Sequence, residues 1–412
     1  MDDPPASDRP NLECVRRVSG AGRLSPMRVA AVQLGIPVQS YTRDLLNGLH
    51  ARGFDVVLVS RPEDWPGYVD PRSLEAPVYL VETQKPRRAS REVRNTIVQA
   101  LGLPASISPA HTHREAERYL GVSAPFDLVI GIERSGLEIA ARFAEKSGVP
   151  FVYYCLELYI EDHPEYPRFK WKRRSEIESH RRAAATIIQD QSRWNALRAA
   201  NGPVSDEVFF LPVGVPRLAE RTARTAPAGE PSSVLYLGLI RPTRFADELL
   251  AAAPALPSGV RMRLHGPISR DYAKTLAGRR LPDNVTVTTE LLDEAGVVDL
   301  VESAAIGLSL YRRDYANDRI TAFSSQKLAM YLRAGVPVIS FASESYAELF
   351  SRHRCGEMID DFAELPAAVG KILERREEYS RAAREAFAAI YDIDQYWARL
   401  AEFLTRVAAR RA

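Results

Sequence analysis

The sequence predicts an α/β protein with two Rossmann-like domains, each built on a doubly wound parallel sheet, and a helical C-terminal tail. Short apolar strands alternate with amphipathic helices along the chain, which is the pattern of parallel βαβ units. A stretch without periodicity, Arg217–Ser233, divides this pattern into two sets and predicts a linker. The length of 412 residues is enough for two domains that each bury a core.

The first set spans residues 27–216 and follows a segment rich in Pro, Asp, Arg and Ser, residues 1–26, which predicts a disordered leader. Apolar β-branched runs between polar turns predict strands, and apolar residues at helical spacing predict helices. The predicted strands are Met27–Leu34, Phe54–Ser60, Val78–Glu82, Phe126–Ile132, Val149–Cys155, Thr186–Gln189 and Val208–Leu211. The predicted helices are Tyr41–Arg52, Arg87–Leu101, Gly136–Ser147, Phe169–Ala184 and Ser192–Ala200.

The second set spans residues 234–385 and leads into a tail that is helical from about Leu365 onward. Its predicted strands are Val234–Leu239, Arg261–His265, Val285–Thr288, Ile306–Leu310 and Val336–Ile339. Its predicted helices include Phe245–Ala253 and Glu294–Ser303.

Composition and charge exclude several classes of protein. Hydrophobic residues make up 46% and charged residues 26%, as in ordinary soluble domains. Because 55 Lys+Arg balance 53 Asp+Glu, we expect no nucleic-acid partner. The cysteines Cys14, Cys155 and Cys355 form neither a metal-ligand pattern nor a disulfide framework, which predicts no metal site and a cytoplasmic location. No run reaches the ~18 apolar residues of a membrane span.

The segment Ser324–Ser340 reads as a polar loop, a helix, a glycine stop and a buried strand. Ser324 or Ser325 is a natural helix N-cap, and Lys327 lies in the first turn. Free N–H groups and the helix dipole both favour an anion at such an end, and a lysine there favours phosphate. The alternative is an exposed lysine without a ligand.

This segment resembles the sugar-donor-site helix of GT-B glycosyltransferases of the family 4-like group (glycosyl transferases group 1), whose signature is Lys-Leu-x-Glu-Tyr-Leu-x-x-Gly-x-Pro-Val. The resemblance implies that the two domains face a cleft, with residues 27–216 binding the acceptor and residues 234–385 binding the nucleotide-sugar donor. It also implies that the last segment, 386–412, crosses back onto the first domain, with Trp397 and Leu400 as anchors.

Further segments resemble the group's donor site. The strand and turn Val234–Arg244 match the one whose basic pair reaches the donor diphosphate, and a loop glycine near residue 35 matches a diphosphate-facing turn. Solvated arginines and structural strand-end residues are the alternatives. The resemblance implies these donor-binding residues: Gly35, Arg241, Arg244, His265, Tyr311, Ser324, Ser325 and Lys327.

The sequence departs from the group at two acidic positions. The glutamate that usually binds the ribose is replaced by Met330, and the other glutamate of the pair is replaced by Ala322. Because Met330 lies within the apolar run Leu328–Leu332, we expect the pocket to have repacked around it.

Two glutamates in the first half are candidates for catalysis. Glu133 and Glu157 each follow a predicted parallel strand, and ligands collect at the carboxyl ends of such strands. Either could orient an acceptor hydroxyl or act as a base, and a helix cap or loop carboxylate is the alternative. Asp190 and His163 are further candidates.

Two basic runs, Arg168–Arg174 and Lys85–Arg88, could meet an anionic membrane surface or an acidic acceptor. The first run contains Phe169 and Trp171, which suit a lipid interface; a solvated helix face is the alternative. These runs extend the expected location to the inner face of the membrane, with peripheral attachment.

The resemblance implies a hexosyltransferase-type enzyme that moves a sugar from a nucleotide-diphosphate sugar to a hydroxyl of a glycan, lipid-linked or secondary-metabolite acceptor. No cofactor other than this co-substrate is expected. Because the sequence has no Asp-x-Asp motif at a strand end, we expect a metal-independent reaction. The alternatives are a GT-B-fold nucleotide-sugar epimerase and a non-catalytic member that binds a sugar or a partner.

Overall fold

The computed structural model describes residues 26–65, 69, 71–81, 109–164, 166–218 and 232–410. These residues form two parallel sheets with flanking helices and a helical C-terminal region, which confirms the predicted fold class. The predicted leader, the helix Arg87–Leu101, the run Lys85–Arg88 and most of the linker lie outside the described residues. The same holds for the side chains of Arg168, Phe169, Trp171 and Lys172.

The first domain is built on a seven-stranded sheet. Its strands are β1 (Arg28–Val32), β2 (Asp55–Ser60), β3 (Val78–Leu80), β4 (Leu128–Ile132), β5 (Phe151–Tyr154), β6 (Ala185–Ile188) and β7 (Val208–Phe210). Its helices are α1 (Ser40–His50), α2 (Pro109–Ser123), α3 (Glu133–Ser147), α4 (Tyr166–Arg181) and α5 (Gln191–Asn201). The strand order is β3-β2-β1-β4-β5-β6-β7, and β1 pairs in parallel with both β2 and β4. The order reverses beside β1, and ligands bind at such switch points.

The second domain is built on a six-stranded sheet with the order β10-β9-β8-β11-β12-β13. Its strands are β8 (Ser232–Leu237), β9 (Val260–His265), β10 (Val285–Thr288), β11 (Ile306–Leu308), β12 (Val338–Phe341) and β13 (Gly356–Ile359). Its helices are α6 (Ala246–Ala252), α7 (Arg270–Ala277), α8 (Glu294–Glu302), α9 (Ala316–Arg319), α10 (Gln326–Arg333) and α11 (Glu344–His353). The C-terminal helices are α12 (Leu365–Glu374), α13 (Arg376–Ala386) and α14 (Trp397–Ala408).

Several element boundaries differ from the predicted ones. β8 begins at Ser232, inside the predicted linker, because Ser232 and Ser233 pair with β9. α3 begins at Glu133 rather than Gly136, since Glu133 adopts a left-handed φ of 57° that turns the chain directly from strand to helix. Gly136 then packs so tightly that a Cβ atom would lie 2.1 Å from the carbonyl oxygen of Val32. β13 has no counterpart among the predicted strands.

The last helix completes the core of the first domain. On one face of the first sheet, Trp397, Leu400 and Phe403 of α14 lie in the same buried cluster as Leu45 and Leu49 of α1. The sheet's other face is covered by α3 and α5, and both faces of the second sheet are buried in the same way. The helix α14 therefore belongs to the core of the first domain, although it follows the second domain in sequence.

The two passages of the chain between the domains lie side by side. The N–H of Val215 donates to the carbonyl of Tyr391 at 3.0 Å, and the N–H of Ile393 donates back to Val215 at 3.3 Å. Arg217 pairs with Asp392 at 2.6 Å. The domains are joined by this pair of crossings.

Replacing Gly48 by alanine is expected to destabilise the protein by about 1–3 kcal/mol, because overpacking outweighs the helix propensity gained. A Cβ atom at Gly48 would lie 2.5 Å from the Trp397 ring, so α1 and α14 would have to separate. The matched control is Gly121→Ala in α2, where a Cβ atom meets nothing within 4 Å. Thermal unfolding of both variants checks this, and equal melting temperatures would contradict it.

Candidate functional site

A pocket of about 610 Å³ lies in the cleft between the domains, at the carboxyl ends of both sheets. From the first domain, the start of α1 lines it with Ser40 and Arg43. From the second domain, the turns after β8, β9 and β10 line it, together with α10. The predicted residues in its lining are His265, Tyr311 and Lys327.

Lys327 lies at the N-terminal end of α10 and is half-buried. Its Nζ atom lies 4.4 Å from the ring centroid of Tyr311 and 5.3 Å from that of Tyr236. Among the described residues, no carboxylate lies within ion-pair distance of this ammonium group. Burial, and then the charge of Arg244, lower the pKa of Lys327 to about 7. An anion in the pocket would relieve both effects.

The two predicted arginines differ in their surroundings. Arg244 donates to the buried carboxylate of Asp318 at 2.7 Å, and this carboxylate also accepts the hydroxyl of Tyr315 at 2.7 Å. Burial opposes the charge of Arg244, but Asp318 raises the pKa of Arg244 overall. Arg241 instead has a buried Nε atom without a hydrogen-bond partner in the part of the chain that the structure describes. Lys327 and Arg241 therefore differ from Arg244, because no carboxylate among the described residues forms an ion pair with either of them.

The two predicted serines hold the loop before α10. Ser325 is buried, and its Oγ atom accepts the N–H of Leu328 at 3.3 Å as the helix cap and bonds the hydroxyl of Tyr311 at 2.8 Å. Ser324 Oγ accepts a hydrogen bond from Arg193 of the first domain at 3.2 Å. Both hydroxyls therefore fix the conformation of the loop before α10.

His265 lines the pocket, whereas Gly35 is not among the lining residues. His265 ends β9 in the pocket wall, bonds Thr288 through Nδ1 at 2.7 Å, and has a pKa lowered by burial. Gly35 is exposed, has a left-handed φ of 82°, and donates its N–H to Asp64 at 3.0 Å. A Cβ atom there would lie 3.8 Å from Ser135 at the start of α3, outside the pocket lining.

The two candidate catalytic glutamates are neighbours. One carboxylate oxygen of Glu133 accepts the N–H groups of Leu156 at 2.6 Å and of Glu157 at 2.8 Å. Burial, and then the charge of Glu157, raise the pKa of Glu133 to about 8. Glu133 therefore orders the loop that carries Glu157, and it is mostly protonated at neutral pH.

The helix α9 connects these glutamates to the cations of the second domain. Glu157 is exposed, and its carboxylate accepts the side-chain amide of Asn317 at 2.6 Å. The next residue is Asp318, the partner of Arg244. The short helix α9 therefore contacts both a candidate catalytic glutamate, Glu157, and a candidate phosphate-binding arginine, Arg244.

Arg193 links the two domains, although the sequence does not single it out. Arg193 is 1% exposed, and its guanidinium group donates to the carbonyls of Leu156, Asn317 and Ile320 at 2.6 to 3.2 Å. An arginine in an amphipathic helix usually faces water, so no local pattern predicts this contact. Asp190, one of the two further candidates from the sequence, caps α5 by accepting the N–H of Arg193 at 2.8 Å.

The remaining candidate, His163, packs edge-on against Tyr159 and Tyr315, with ring centroids 4.9 and 5.1 Å apart. Within the described ranges, no three His, Cys, Asp or Glu side chains cluster as metal ligands. No described helix is long and apolar enough to cross a membrane.

Glu133→Gln is expected to stabilise the protein increasingly as pH rises from about 5 to about 8. In the wild type, the folded pKa of about 8 exceeds the ordinary value of 4.5, so the unfolded chain binds fewer protons and stability is lost with rising pH. The glutamine oxygen can still accept both N–H groups but carries no charge. Thermal unfolding of both proteins across this pH range checks the prediction. A stability difference between them that does not change with pH would contradict the raised pKa of Glu133.

Two family descriptions match the chain and together cover most of it. The glycosyl transferase 4-like domain matches residues 38–214, and the glycosyl transferase-like domain matches residues 241–405. No curated protein sequence matches this chain.

Several solved structures share the fold over more than nine-tenths of the chain. Sucrose-phosphate synthase from Thermosynechococcus elongatus is 16% identical, with a TM-score of 0.69 over 93% of this chain and 99% of that one. Anabaena HepE in complex with UDP is 16% identical, with a TM-score of 0.64 over 92% of this chain and 100% of that one. The galactosyltransferase WaaB is 13% identical, with a TM-score of 0.58 over 92% and 100%. Because glycosyltransferase families match both halves and the two-sheet architecture is shared, the chain belongs to the nucleotide-sugar-dependent GT-B glycosyltransferases of the family 4-like group.

Proposed function

We propose that this protein transfers a hexose from a nucleotide-diphosphate sugar to a hydroxyl of a glycan, lipid-linked or secondary-metabolite acceptor. The observation that carries the proposal is Lys327, a half-buried cation without a carboxylate partner among the described residues, in a pocket lined by both domains. A partly buried cation in a cleft, without a carboxylate partner among the described residues, is suited to bind an anionic ligand.

The donor diphosphate is assigned to Lys327 and Arg241, with the N-terminal end of α10 behind them. Charge develops on the leaving diphosphate as the glycosidic bond breaks, so fixed cations stabilise the transition state more than the ground state. Arg244 supports them from its ion pair with Asp318. In this arrangement side-chain cations neutralise the leaving group, which supports a reaction that does not depend on a metal.

The acceptor is assigned to the loop ordered by Glu133. With a pKa near 8, Glu133 holds its proton at neutral pH and serves to position the loop. Glu157, which is exposed and bound by Asn317 across the cleft, is the better placed of the two to orient an acceptor hydroxyl or receive its proton.

Uridine nucleotides are the first donors to test, since Anabaena HepE was crystallised with UDP and with UDP-glucose. UDP-, GDP- and TDP-hexoses are incubated with the protein and a panel of hydroxyl acceptors. Release of nucleoside diphosphate only when an acceptor is present supports transfer. Interconversion of the sugar without release indicates an epimerase, and binding without turnover indicates a non-catalytic member.

A further inference from the structure

A cluster of four charged residues lines part of the pocket, and the proposed function gives it no role. We name it the charged end; it contains Arg43 and Asp44 of α1, Glu294 of α8 and Arg333 of α10, and all four line the pocket. Arg43 crosses the cleft and donates two hydrogen bonds to Glu294, from Nη1 to Oε2 at 2.9 Å and from Nη2 to Oε1 at 3.1 Å.

Arg43 is held firmly on its own side of the cleft. Its side chain is 12% exposed, and its Nε atom donates to Asp44 at 2.8 Å. Asp44 is 8% exposed, and its Oδ2 atom has no hydrogen-bond partner in the part of the chain that the structure describes. The guanidinium fork therefore presents a fixed face to Glu294.

The charged end adjoins the position where the family's ribose-binding glutamate is missing. Met330 of α10 is half-buried, lines the same pocket and packs against the buried cluster behind it. Arg333 follows one turn later on α10, and its pKa is lowered by burial while the charge of Glu294 opposes that shift. The side of the pocket beside Met330 therefore lacks the glutamate that binds the ribose in the family, but the carboxylate of Glu294 lines the same pocket.

The Glu294 carboxylate is chemically suited to a ribose. It stays ionised because the hydrogen bond from Arg43 lowers its pKa. A carboxylate has about four acceptor positions, and Arg43 uses one on each oxygen, so two remain for a pair of hydroxyl donors. The Glu294 side chain is 64% exposed, which leaves these positions open to a ligand.

We propose that Glu294, oriented by Arg43 from the opposite domain, accepts the ribose hydroxyls of the donor nucleotide in place of the glutamate absent at residue 330. The inference rests on the proposed function. It also means that the ribose contact exists only when the domains are closed, because Arg43 belongs to the first domain and Glu294 to the second. The Gln326 side chain, which donates to Ser40 across the same cleft, supports this closed state.

Calorimetric titration tests the proposal with UDP and 2′,3′-dideoxy-UDP, and with GDP and its dideoxy form. Wild type should bind the ribonucleotide at least about tenfold more tightly than the dideoxy form. Glu294→Ala should lose this preference, so that the ribonucleotide and the dideoxy form bind with about the same affinity. Glu290→Ala, which removes the same charge from the same pocket wall, should keep the preference.

A compensating variant makes the test sharper. Adding Met330→Glu to Glu294→Ala should restore the ribonucleotide preference, since it returns the family's acceptor to the pocket. If Glu294→Ala keeps the wild-type preference, the inference is overturned while the proposed function stands. If wild type binds no nucleoside diphosphate at all, the proposed function fails and the inference fails with it.

Discussion

Lys327→Ala is expected to weaken nucleoside diphosphate binding by about ten- to a hundredfold without unfolding the protein. A charge-assisted hydrogen bond in a partly dry cleft contributes roughly 1.5 to 3 kcal/mol. The fold should survive because Lys327 makes no ion pair with the described residues, and burial already disfavours its charge. The measurement is calorimetric titration with UDP, GDP and TDP.

The same titration carries a pH signature. In the protein without a ligand, Lys327 has a pKa near 7. A bound diphosphate favours the charged form of Lys327 and therefore raises this pKa. Binding above pH 7 therefore takes up a proton, and affinity should fall by up to about tenfold per pH unit. This dependence should vanish in Lys327→Ala and persist in Lys274→Ala, a control at an exposed position on α7. Unchanged affinity in Lys327→Ala would remove the main support for a phosphate site.

Trp397→Ala is expected to destabilise the first domain by about 3–5 kcal/mol, the usual cost of truncating a buried tryptophan. The Trp397 side chain is 4% exposed and covers Gly48 of α1, and its indole N–H donates to Asp394 at 3.1 Å. Removing it opens a cavity between α1 and α14 that neither rigid helix can close.

Urea denaturation followed by two probes, one reporting on each domain, measures this loss because a two-domain chain need not unfold in one step. Glu402→Ala is the matched control, since Glu402 lies on the exposed face of the same helix. A loss below about 1 kcal/mol in Trp397→Ala would mean that α14 is dispensable for the first domain.

The features predicted correctly from the sequence are those that depend on residues close together in the chain. Apolar runs a few residues long indicate the strands of both sheets, because burial on two faces needs near-continuous apolar side chains. The helix cap at Ser325 is also predictable from local sequence, because its partner, the N–H of Leu328, lies only three residues later. The short strand Gly356–Ile359 escapes prediction because its partially exposed residues lack a clear apolar run.

Long-range contacts account for what the sequence could not predict about the site. Asp318 pairs with Arg244, which lies 74 residues away in the chain. This ion pair distinguishes Arg244 from Arg241, although the sequence predicts the same role for both. Arg193 reaches residues more than 120 positions away, and nothing in its own helix indicates this. Met330 lies in an apolar run, yet its place in the pocket wall depends on how α10 packs in the folded domain.

The position of α14 has a consequence for synthesis of the chain. The first sheet is translated early, but the residues that cover one of its faces, from Ile393 to Val407, are translated only after the whole second sheet. Nascent domains usually fold as they emerge. Here the N-terminal domain must wait, with the apolar faces of Leu45 and Leu49 uncovered, until the other domain has been made. We therefore expect chains interrupted before α14 to be substrates for chaperones, even though every strand of both sheets has been synthesised.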